Sequence, residues 1–170
     1  MGELMIKSID NHFLLDSDIM NLMKYIAGKG SNEGKEQILY IGARGLSLDC
    51  EVAAEQIICM QEALRKDQDS RAIHLVISFP ESMTNKKLII QFAKEIAAML
   101  WKDYQVFYGI HGSTDNKHIH LAINTVSYVN GKKWHVNKEE FICFINSIQH
   151  VWDCLNSGEP LELDYKNLVC

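Results

Sequence analysis

The sequence lacks the features that mark several large classes of protein. No apolar run approaches the roughly 20 residues that a membrane-spanning helix needs, and the first residues do not resemble a signal peptide. There is no internal repeat, low-complexity stretch or linker. At 170 residues, of which 47% are hydrophobic and 23% charged, the chain fits one globular domain with a sizeable core. We therefore expect a single soluble domain in the cytoplasm.

The sequence also lacks the motifs of the common zinc and nucleotide enzymes. There is no CxxC pair and no glutamate in a zincin-like helix, which weakens protease and deaminase interpretations. A GxxxxGK loop and a GxGxxG turn are both missing, so nucleoside triphosphate and dinucleotide chemistry have no support. The cysteines are scattered and odd in number, and we interpret them as reduced thiols: Cys50, Cys59, Cys143, Cys154 and Cys170.

An excess of positive charge is missing as well. The formal net charge of -5 at pH 7 argues mildly against a protein that grips long duplex DNA, although it leaves room for a short nucleic-acid site. Such basic runs are equally well explained as solvated faces, so charge alone does not decide. The basic residues gather in two parts of the chain: Lys24, Lys29, Lys35 and Arg44, then Lys117, Lys132, Lys133 and Lys138.

What the sequence does contain is a regular alternation of strand and helix patterns. Helical spacing of apolar residues, with polar caps before each run, predicts helices that begin near Asp16, Asp49, Thr84 and Asn137. Short apolar runs predict strands at about 4–9, 38–41, 73–79, 104–110 and 118–126. The order β-α-β-α-β-α-β-β-α indicates an α+β fold. We expect a mostly antiparallel five-stranded sheet with its helices mainly on one face and the other face partly open.

Three histidines are spaced so that they could coordinate one metal ion. His118 and His120 begin a strand that continues through the apolar run 121–123, so their rings share a face at ~7 Å between Cα atoms. A polar turn separates them from His111, which ends the preceding strand, and a hairpin would bring it back beside the pair. Three imidazoles with no fourth protein ligand describe an open site, but chance spacing explains the pattern equally well.

The other histidines carry less information. We interpret His12, His135 and His150 as ordinary core or surface residues, because a lone histidine is more often that than a ligand. His74 lies at the start of a strand that could pair beside the histidine strands, and an ordinary strand residue is the competing interpretation.

The histidine segment and several others together resemble one family. The pair His118-Ile-His120, with His111 upstream, is similar to the third motif of the plasmid relaxases, which are mobilization nucleases of the HUH endonuclease superfamily. The similarity runs in the expected order from about residue 22 to residue 137. The further matching segments are Leu22-Met-Lys-Tyr25-Ile-Ala-Gly-Lys-Gly30, Gly45-Leu-Ser-Leu-Asp49, Ala53-Ala-Glu-Gln-Ile57, His74-Leu-Val-Ile-Ser78-Phe79, His120-Leu-Ala-Ile-Asn124 and Gly131-Lys-Lys-Trp134.

The resemblance implies a reaction. A tyrosine attacks a phosphodiester of single-stranded DNA at a transfer origin and forms a 5'-phosphotyrosyl intermediate, with help from a divalent ion. Tyr25 is the implied nucleophile, since it matches the tyrosine of the family's first helix. Its position on the flank of an amphipathic helix also suits an ordinary helix-end tyrosine, and Tyr104 and Tyr108 on the strand before His111 are alternatives.

The resemblance also assigns the remaining site residues and partners. The metal ligands are His111, His118 and His120, and the ion is Mn or Mg first, with Zn, Co or Ni as alternatives. Asp115 and His74 are expected to orient the ligands, and Ser113 stands where relatives often carry Asp. The substrate is single-stranded or hairpin transfer-origin DNA, and accessory mobilization proteins are further expected partners. The candidate DNA contacts are Arg44, Lys132, Lys133 and Trp134.

The resemblance leaves the chain's organisation and class open to alternatives. We expect residues 1–156 to form the nuclease domain and residues 157–170 a tail. Relatives usually continue into further domains, so a nuclease fragment and a naturally short protein both fit the length. The alternative functions are a replication-initiation nuclease of the same superfamily, a relaxase-like module that binds DNA without cutting it, and a protein with a structural metal.

Overall fold

Nine helices and strands make up the part of the chain that the structure, a computed structural model, describes: residues 4–9, 13–30, 37–112 and 116–158. Their order along the chain is the predicted one. The elements are β1 (Met5–Ile9), α1 (Asp16–Ile26), β2 (Gln37–Arg44), α2 (Cys50–Ala63), β3 (Ala72–Ser78), α3 (Lys86–Leu100), β4 (Val106–Gly112), β5 (Lys117–Asn124) and α4 (Lys138–Ser157).

The strands form one antiparallel sheet in the order β1-β3-β5-β4-β2. This confirms the prediction of an α+β fold around a five-stranded antiparallel sheet. The strand β5 lies at the centre, with β3 on one side and β4 on the other, so the histidine strands are neighbours. In the β4–β5 hairpin His111 pairs directly with His118, as the sequence predicted for a polar turn between two strands.

The helices lie in pairs on both faces of the sheet, which corrects the expectation that they would pack mainly on one face. Alternate residues of β4 show this: Val106, Tyr108 and Ile110 pack against α3 and α4, whereas Phe107 packs against α1 and α2. Every residue of β4 is buried, so its sequence is apolar without alternation. A run of this kind, apolar without alternation, is the pattern of a strand that is covered on both faces, and it was the available sequence signal for helices on both sides of the sheet.

Local capping signals fixed the helix starts largely as predicted. The Asp49 side chain accepts hydrogen bonds from two backbone N–H groups at the start of α2. Asn137 and Glu140 form the expected capping box at the start of α4. The helix α3 is capped by Asn85, one residue beyond the predicted Thr84. The predicted tail lies almost wholly outside the described residues.

Two compositional expectations can be compared with the described residues. The cysteines at 50, 59 and 154 are free thiols, as expected, and Cys170 lies outside the described ranges. Among the described helices, none combines the length and the apolar character required to cross a membrane.

Candidate active site

Four histidines lie on the sheet face that α1 and α2 cover only in part. His111 on β4 pairs with His118 on β5, and His120 follows two residues later on the same face. On the other side of β5, Val76 pairs with His120, and His74 lies two residues from Val76 along β3, on the same face. The antiparallel register therefore collects side chains from three central strands into one cluster, the histidine cluster of His74, His111, His118 and His120.

The rings of the histidine cluster are in contact around His120. Its ring centroid lies 4.4 Å from that of His111, 5.3 Å from that of His74 and 5.8 Å from that of His118. His74, His111 and His120 are buried, and His118 is half-buried at the rim. His120 is thus the centre of the cluster, and His118 is its most accessible member.

Two hydrogen bonds orient the rings. Nε2 of His74 and Nδ1 of His120 are 3.0 Å apart and share one proton, and Nε2 of His111 donates to the carbonyl oxygen of Ile26 at 2.8 Å. Because Nε2 of His111 carries the proton of this second bond, Nδ1 is the nitrogen of that ring that can act as an acceptor or a metal ligand. The bond also ties β4 to the last residue of α1. This arrangement, in which one ring nitrogen is held and the other faces the cluster, is the usual one for metal-binding histidines.

Burial keeps the central imidazoles unprotonated. It lowers the pKa of His120 to about 2, and the neighbouring His111, His74 and His118 lower it further in the same direction. Burial, followed by the proximity of His111, lowers the pKa of His74 to about 4. Both rings are therefore neutral at pH 7, which is the state that a metal ligand requires.

The chemistry of these rings suits a metal ion, although the ligand set is not assembled as the rings stand. Nε2 of His120 is buried without a hydrogen-bond partner in the described part of the chain, which is costly for a polar atom unless something else satisfies it. Across residues 4–9, 13–30, 37–112 and 116–158, no group of three His, Cys, Asp or Glu side chains is arranged to hold an ion. The orphaned nitrogen of His120 is the feature that fits a metal.

Tyr25 lies in the last turn of α1, directly against the histidine cluster. Its ring centroid is 5.2 Å from that of His120, 5.6 Å from that of His111 and 6.1 Å from that of His74. The apolar stripe of α1 faces the sheet and holds the helix in place, with Ile19, Leu22, Met23 and Ile26 buried. Tyr25 is on the flank of that stripe, as predicted, and is half-buried.

A glycine lets α1 approach the sheet closely enough for this contact. Gly109 pairs with His120 across the β4–β5 ladder and lies beneath the end of α1. A Cβ atom at this position would lie 2.4 Å from the carbonyl oxygen of Ile26. Because residue 109 has no side chain, the end of α1 can lie close to the sheet, with Tyr25 and Ile26 in contact with the histidine cluster.

The other candidate tyrosines lie on the opposite face of the sheet. Tyr108 is buried against α3 and α4, and burial raises its pKa to about 12. The ring of Tyr104 packs on that of Trp134, with 4.7 Å between centroids, and burial raises the pKa of Tyr104 as well. Trp134 also packs against Phe144 of α4. The structure therefore separates Tyr104, Tyr108 and Trp134 from the histidine cluster.

The basic residues predicted to contact DNA lie at the far end of the sheet. Arg44 pairs with Val106, at the opposite end of β4 from His111. Lys133 pairs with Val126, beyond the end of β5 that is remote from His118, and its Nζ is buried. Lys132 belongs to the same turn. Of the other predicted residues, Asp115, Ser113 and His12 lie outside the described ranges, and His135 and His150 are not part of the cluster.

A cleft of about 750 Å³ opens beside Tyr25, and the sequence did not indicate most of its lining. It lies between α1 and the half of the sheet that contains β1, β3 and β5. Asn21 and Tyr25 are four residues apart and so lie on one side of the helix, which the sequence alone predicts. The sequence does not predict the register of β1, which brings Lys7 to the same cleft. Its lining includes Lys7, Ile9, Phe13, Asp18, Asn21, Leu22, Tyr25, His74, Val76, Ser78, His118 and His120.

Known proteins resemble this chain in sequence and in fold. Protein rlx of Staphylococcus aureus is 28% identical over 96 residues, which are 56% of this chain and 30% of that protein, so the chain spans about a third of this relative. A solved structure described as the molecular basis of vancomycin resistance transfer in Staphylococcus aureus superposes with a TM-score of 0.62 over 94% of this chain and 96% of that chain. At 15% identity the superposition shows the fold alone.

The family comparison covers well over half of the chain. The relaxase family described as MobA/VirD2-like, nuclease domain, matches residues 25–147, a range that begins at the tyrosine beside the cluster and includes all its histidines. The resemblance that the motifs indicated is thereby confirmed. The chain belongs to the relaxase family, as a nuclease domain of the MobA/VirD2-like type.

Proposed function

We propose that this domain nicks one strand of DNA at a transfer origin through attack by the Tyr25 hydroxyl on the scissile phosphodiester. Family membership makes the chain a DNA-nicking nuclease domain by class. The observation that carries the finer proposal is the contact of the Tyr25 ring with the rings of His120, His111 and His74. A tyrosine in contact with a cluster of imidazoles that could bind a metal ion supports such a reaction.

The proposed step exchanges one phosphate ester for another. The Tyr25 oxygen forms a bond to phosphorus while the bond from phosphorus to the 3' oxygen breaks, and the phenolic proton is balanced by protonation of the departing 3' oxygen. The products are a 5'-phosphotyrosyl protein and a strand with a free 3' hydroxyl. Because the ester bond is conserved rather than hydrolysed, the strand can later be rejoined, which suits transfer rather than digestion.

In this proposal His111, His118 and His120 would hold a divalent ion, and His74 positions His120 through their shared hydrogen bond. The ion, when bound, would draw charge from the non-bridging phosphate oxygens. Mn is favoured over Mg because three imidazoles suit it better, and Zn, Co or Ni are alternatives. Asp115 is proposed as a second orienting residue.

The proposed substrate is single-stranded or hairpin transfer-origin DNA. Arg44 and Lys132 are too far along the sheet to reach the phosphate at Tyr25, so we propose them as contacts to nucleotides further along the strand, whereas Nζ of Lys133 is buried. Trp134 is occupied in packing against Tyr104. Accessory mobilization proteins and a domain limit near residue 156 remain predictions. Among the alternatives, the family match favours a relaxase over a replication-initiation nuclease.

A covalent trapping experiment tests this proposal. Single-stranded oligonucleotides of random sequence, labelled at the 3' end, are incubated with the protein and Mn²⁺ and resolved on a denaturing gel. We expect a labelled protein band for the unaltered chain and for Tyr128→Phe, whose exposed phenol belongs to a remote turn, and no band for Tyr25→Phe. A band of undiminished strength in Tyr25→Phe would contradict the assignment of the nucleophile.

A further inference from the structure

The cleft beside Tyr25 is larger than the reacting groups require. Its volume of about 750 Å³ falls within the range of small-molecule sites, and it extends from the histidine cluster along α1 to Asp18 and across β3 to β1. Its two walls carry different chemistry. The wall formed by α1 presents an amide, Asn21, and the wall formed by the edge strand presents an ammonium, Lys7.

Asn21 is the polar group of the helix wall that is available to a ligand. Its side chain is exposed, lies one helical turn before Tyr25, and makes no hydrogen bond with another described side chain or backbone group. Its neighbour Asp18 is already engaged, because Oδ2 accepts from the backbone N–H groups of Leu14 and Leu15. An asparagine amide offers one donor and one acceptor side by side, which matches the edge of an unpaired nucleobase.

Lys7 faces the same cleft from the opposite wall. It pairs with Val76, which pairs with His120, so Lys7 and His120 lie on one row of the sheet at about 10 Å between Cα atoms. The Lys7 side chain is exposed, and no carboxylate of the described residues forms an ion pair with it. An ammonium group on a long flexible side chain at this distance can reach a phosphate next to the one at Tyr25.

Between these two groups the cleft is lined by apolar side chains. Ile9, Phe13, Leu22 and Val76 line the same cleft as the amide and the ammonium group and offer a surface for the flat faces of a base. The cleft therefore offers an amide, an apolar surface and an ammonium group, which are the kinds of group that contact the base edge, the base face and the phosphate of a nucleotide.

We infer that this cleft binds the nucleotide adjacent to the scissile phosphate, with Asn21 on the edge of its base and Lys7 on its phosphate. The inference rests on the proposed function and adds to it a determinant of nick-site sequence. Asn21 sets the base preference at one position, whereas Lys7 strengthens binding of every sequence equally, because a phosphate carries no sequence information.

Sequencing of the covalent products tests the role of Asn21. Oligonucleotides from a random single-stranded pool that become joined to the protein in Mn²⁺ are recovered and sequenced, which gives the base preference at each position around the joint. We expect Asn21→Ala to reduce the preference at one position within two nucleotides of the joint by about 10-fold and to leave the other positions unchanged. Alanine is a better helix former than asparagine, so α1 stays folded.

The matched control is Asn146→Ala, which removes an exposed helical asparagine from α4 on the other side of the sheet. It should reproduce the preference of the unaltered chain. Adducts from Asn21→Ala with an unchanged preference at every position would overturn the inference and leave the proposed function standing. A complete lack of adducts from the unaltered chain would overturn the proposed function and the inference with it.

Salt dependence of binding tests the role of Lys7. The most enriched oligonucleotide is titrated by fluorescence anisotropy at several salt concentrations, on a Tyr25→Phe background that prevents cleavage. We expect Lys7→Ala to lower the slope of log affinity against log salt by about 0.7, the value for one phosphate contact on a single strand. Lys87→Ala, an exposed lysine of α3, should leave the slope unchanged. An unchanged slope in Lys7→Ala would exclude its phosphate contact.

Discussion

His120 makes one hydrogen bond through Nδ1, to His74, and its Nε2 is buried without a partner among the described side chains and backbone groups. At the scale of single residues, this asymmetry explains how the site is organised. His74 fixes the plane of the His120 ring and so directs the orphaned nitrogen towards the place where the ion is proposed to bind. His74 is thus a positioning residue, acting through His120.

Replacement of His74 should therefore weaken metal binding with little effect on folding. We expect His74→Ala to lower the affinity for Mn²⁺, measured by calorimetry, by about 10- to 100-fold, and His74→Gln to recover part of it because the amide can still accept the hydrogen bond. His150→Ala, on the exposed side of α4, is the control. Equal affinity in all the variants would show that the contact between His74 and His120 has no bearing on the metal.

Residue-scale features were predictable where they follow from spacing along one element. The shared face of His118 and His120 follows from strand alternation, and the flank position of Tyr25 follows from helical periodicity. The position of Lys7 in the cleft depends on how β1 pairs with β3, and the bond from His111 to Ile26 joins residues that are distant in sequence. Neither kind of contact is encoded in a local pattern.

At the scale of elements, the approach of α1 to the sheet decides whether Tyr25 reaches the histidine cluster. Gly109→Ala should move the end of α1, because its Cβ would collide with the backbone oxygen of Ile26 rather than with a side chain that can rotate. We expect adduct formation to slow by about 10- to 100-fold, since displacements of this size at a reacting group have such effects. The rate is measured as the appearance of the covalent band.

The control for this change lies on the same strand. At Gly112 a Cβ would meet the end of the flexible Leu39 side chain on the other face, so Gly112→Ala should leave the rate close to that of the unaltered chain. A fast Gly109→Ala variant would mean that the close contact between α1 and β4 is not needed for the reaction.

The elements themselves were predicted well because their signals are local. The caps at Asp49 and Asn137 are short-range chemistry, and both were found as expected, as was the antiparallel pairing of β4 with β5. The distribution of helices over the two faces was not predicted correctly. It depends on which apolar runs pack together, and central strands such as β4 are apolar on both sides.

At the scale of the whole molecule, two apolar cores hold the fold together, and the proposed metal ligands border one of them. One core packs α3 and α4 on the sheet and the other packs α1 and α2, and neither includes a histidine of the cluster. We therefore expect a chelator to leave the circular dichroism spectrum unchanged. Added Mn²⁺ at about 100 times its Kd should stabilise the fold by about 2.7 kcal/mol and raise the Tm by roughly 5–10 °C.

The same experiment distinguishes an open catalytic site from a structural one. A domain that unfolds when its metal is removed would have the metal as part of its core, which would contradict an open site. His120→Ala should lose the rise in Tm, whereas His150→Ala should keep it.

The net charge of -5 is also a property of the whole molecule. It argues against extensive contact with duplex DNA. The proposed site requires contact with only a few phosphates around Tyr25, and Lys7 supplies a positive charge there. The charge of the whole chain was readable from the sequence. Its distribution about the cleft was not, because that depends on the pairing of β1 with β3.

The most direct test of the proposed reaction is to identify the residue that carries the DNA. The covalent product formed with single-stranded oligonucleotides in Mn²⁺ is digested with protease and nuclease, and the modified peptide is sequenced by mass spectrometry. We predict a phosphonucleotide on Tyr25, within the peptide of α1 that contacts the histidine cluster. A modification on Tyr104, Tyr108 or any other residue would contradict the assignment of Tyr25 as the nucleophile.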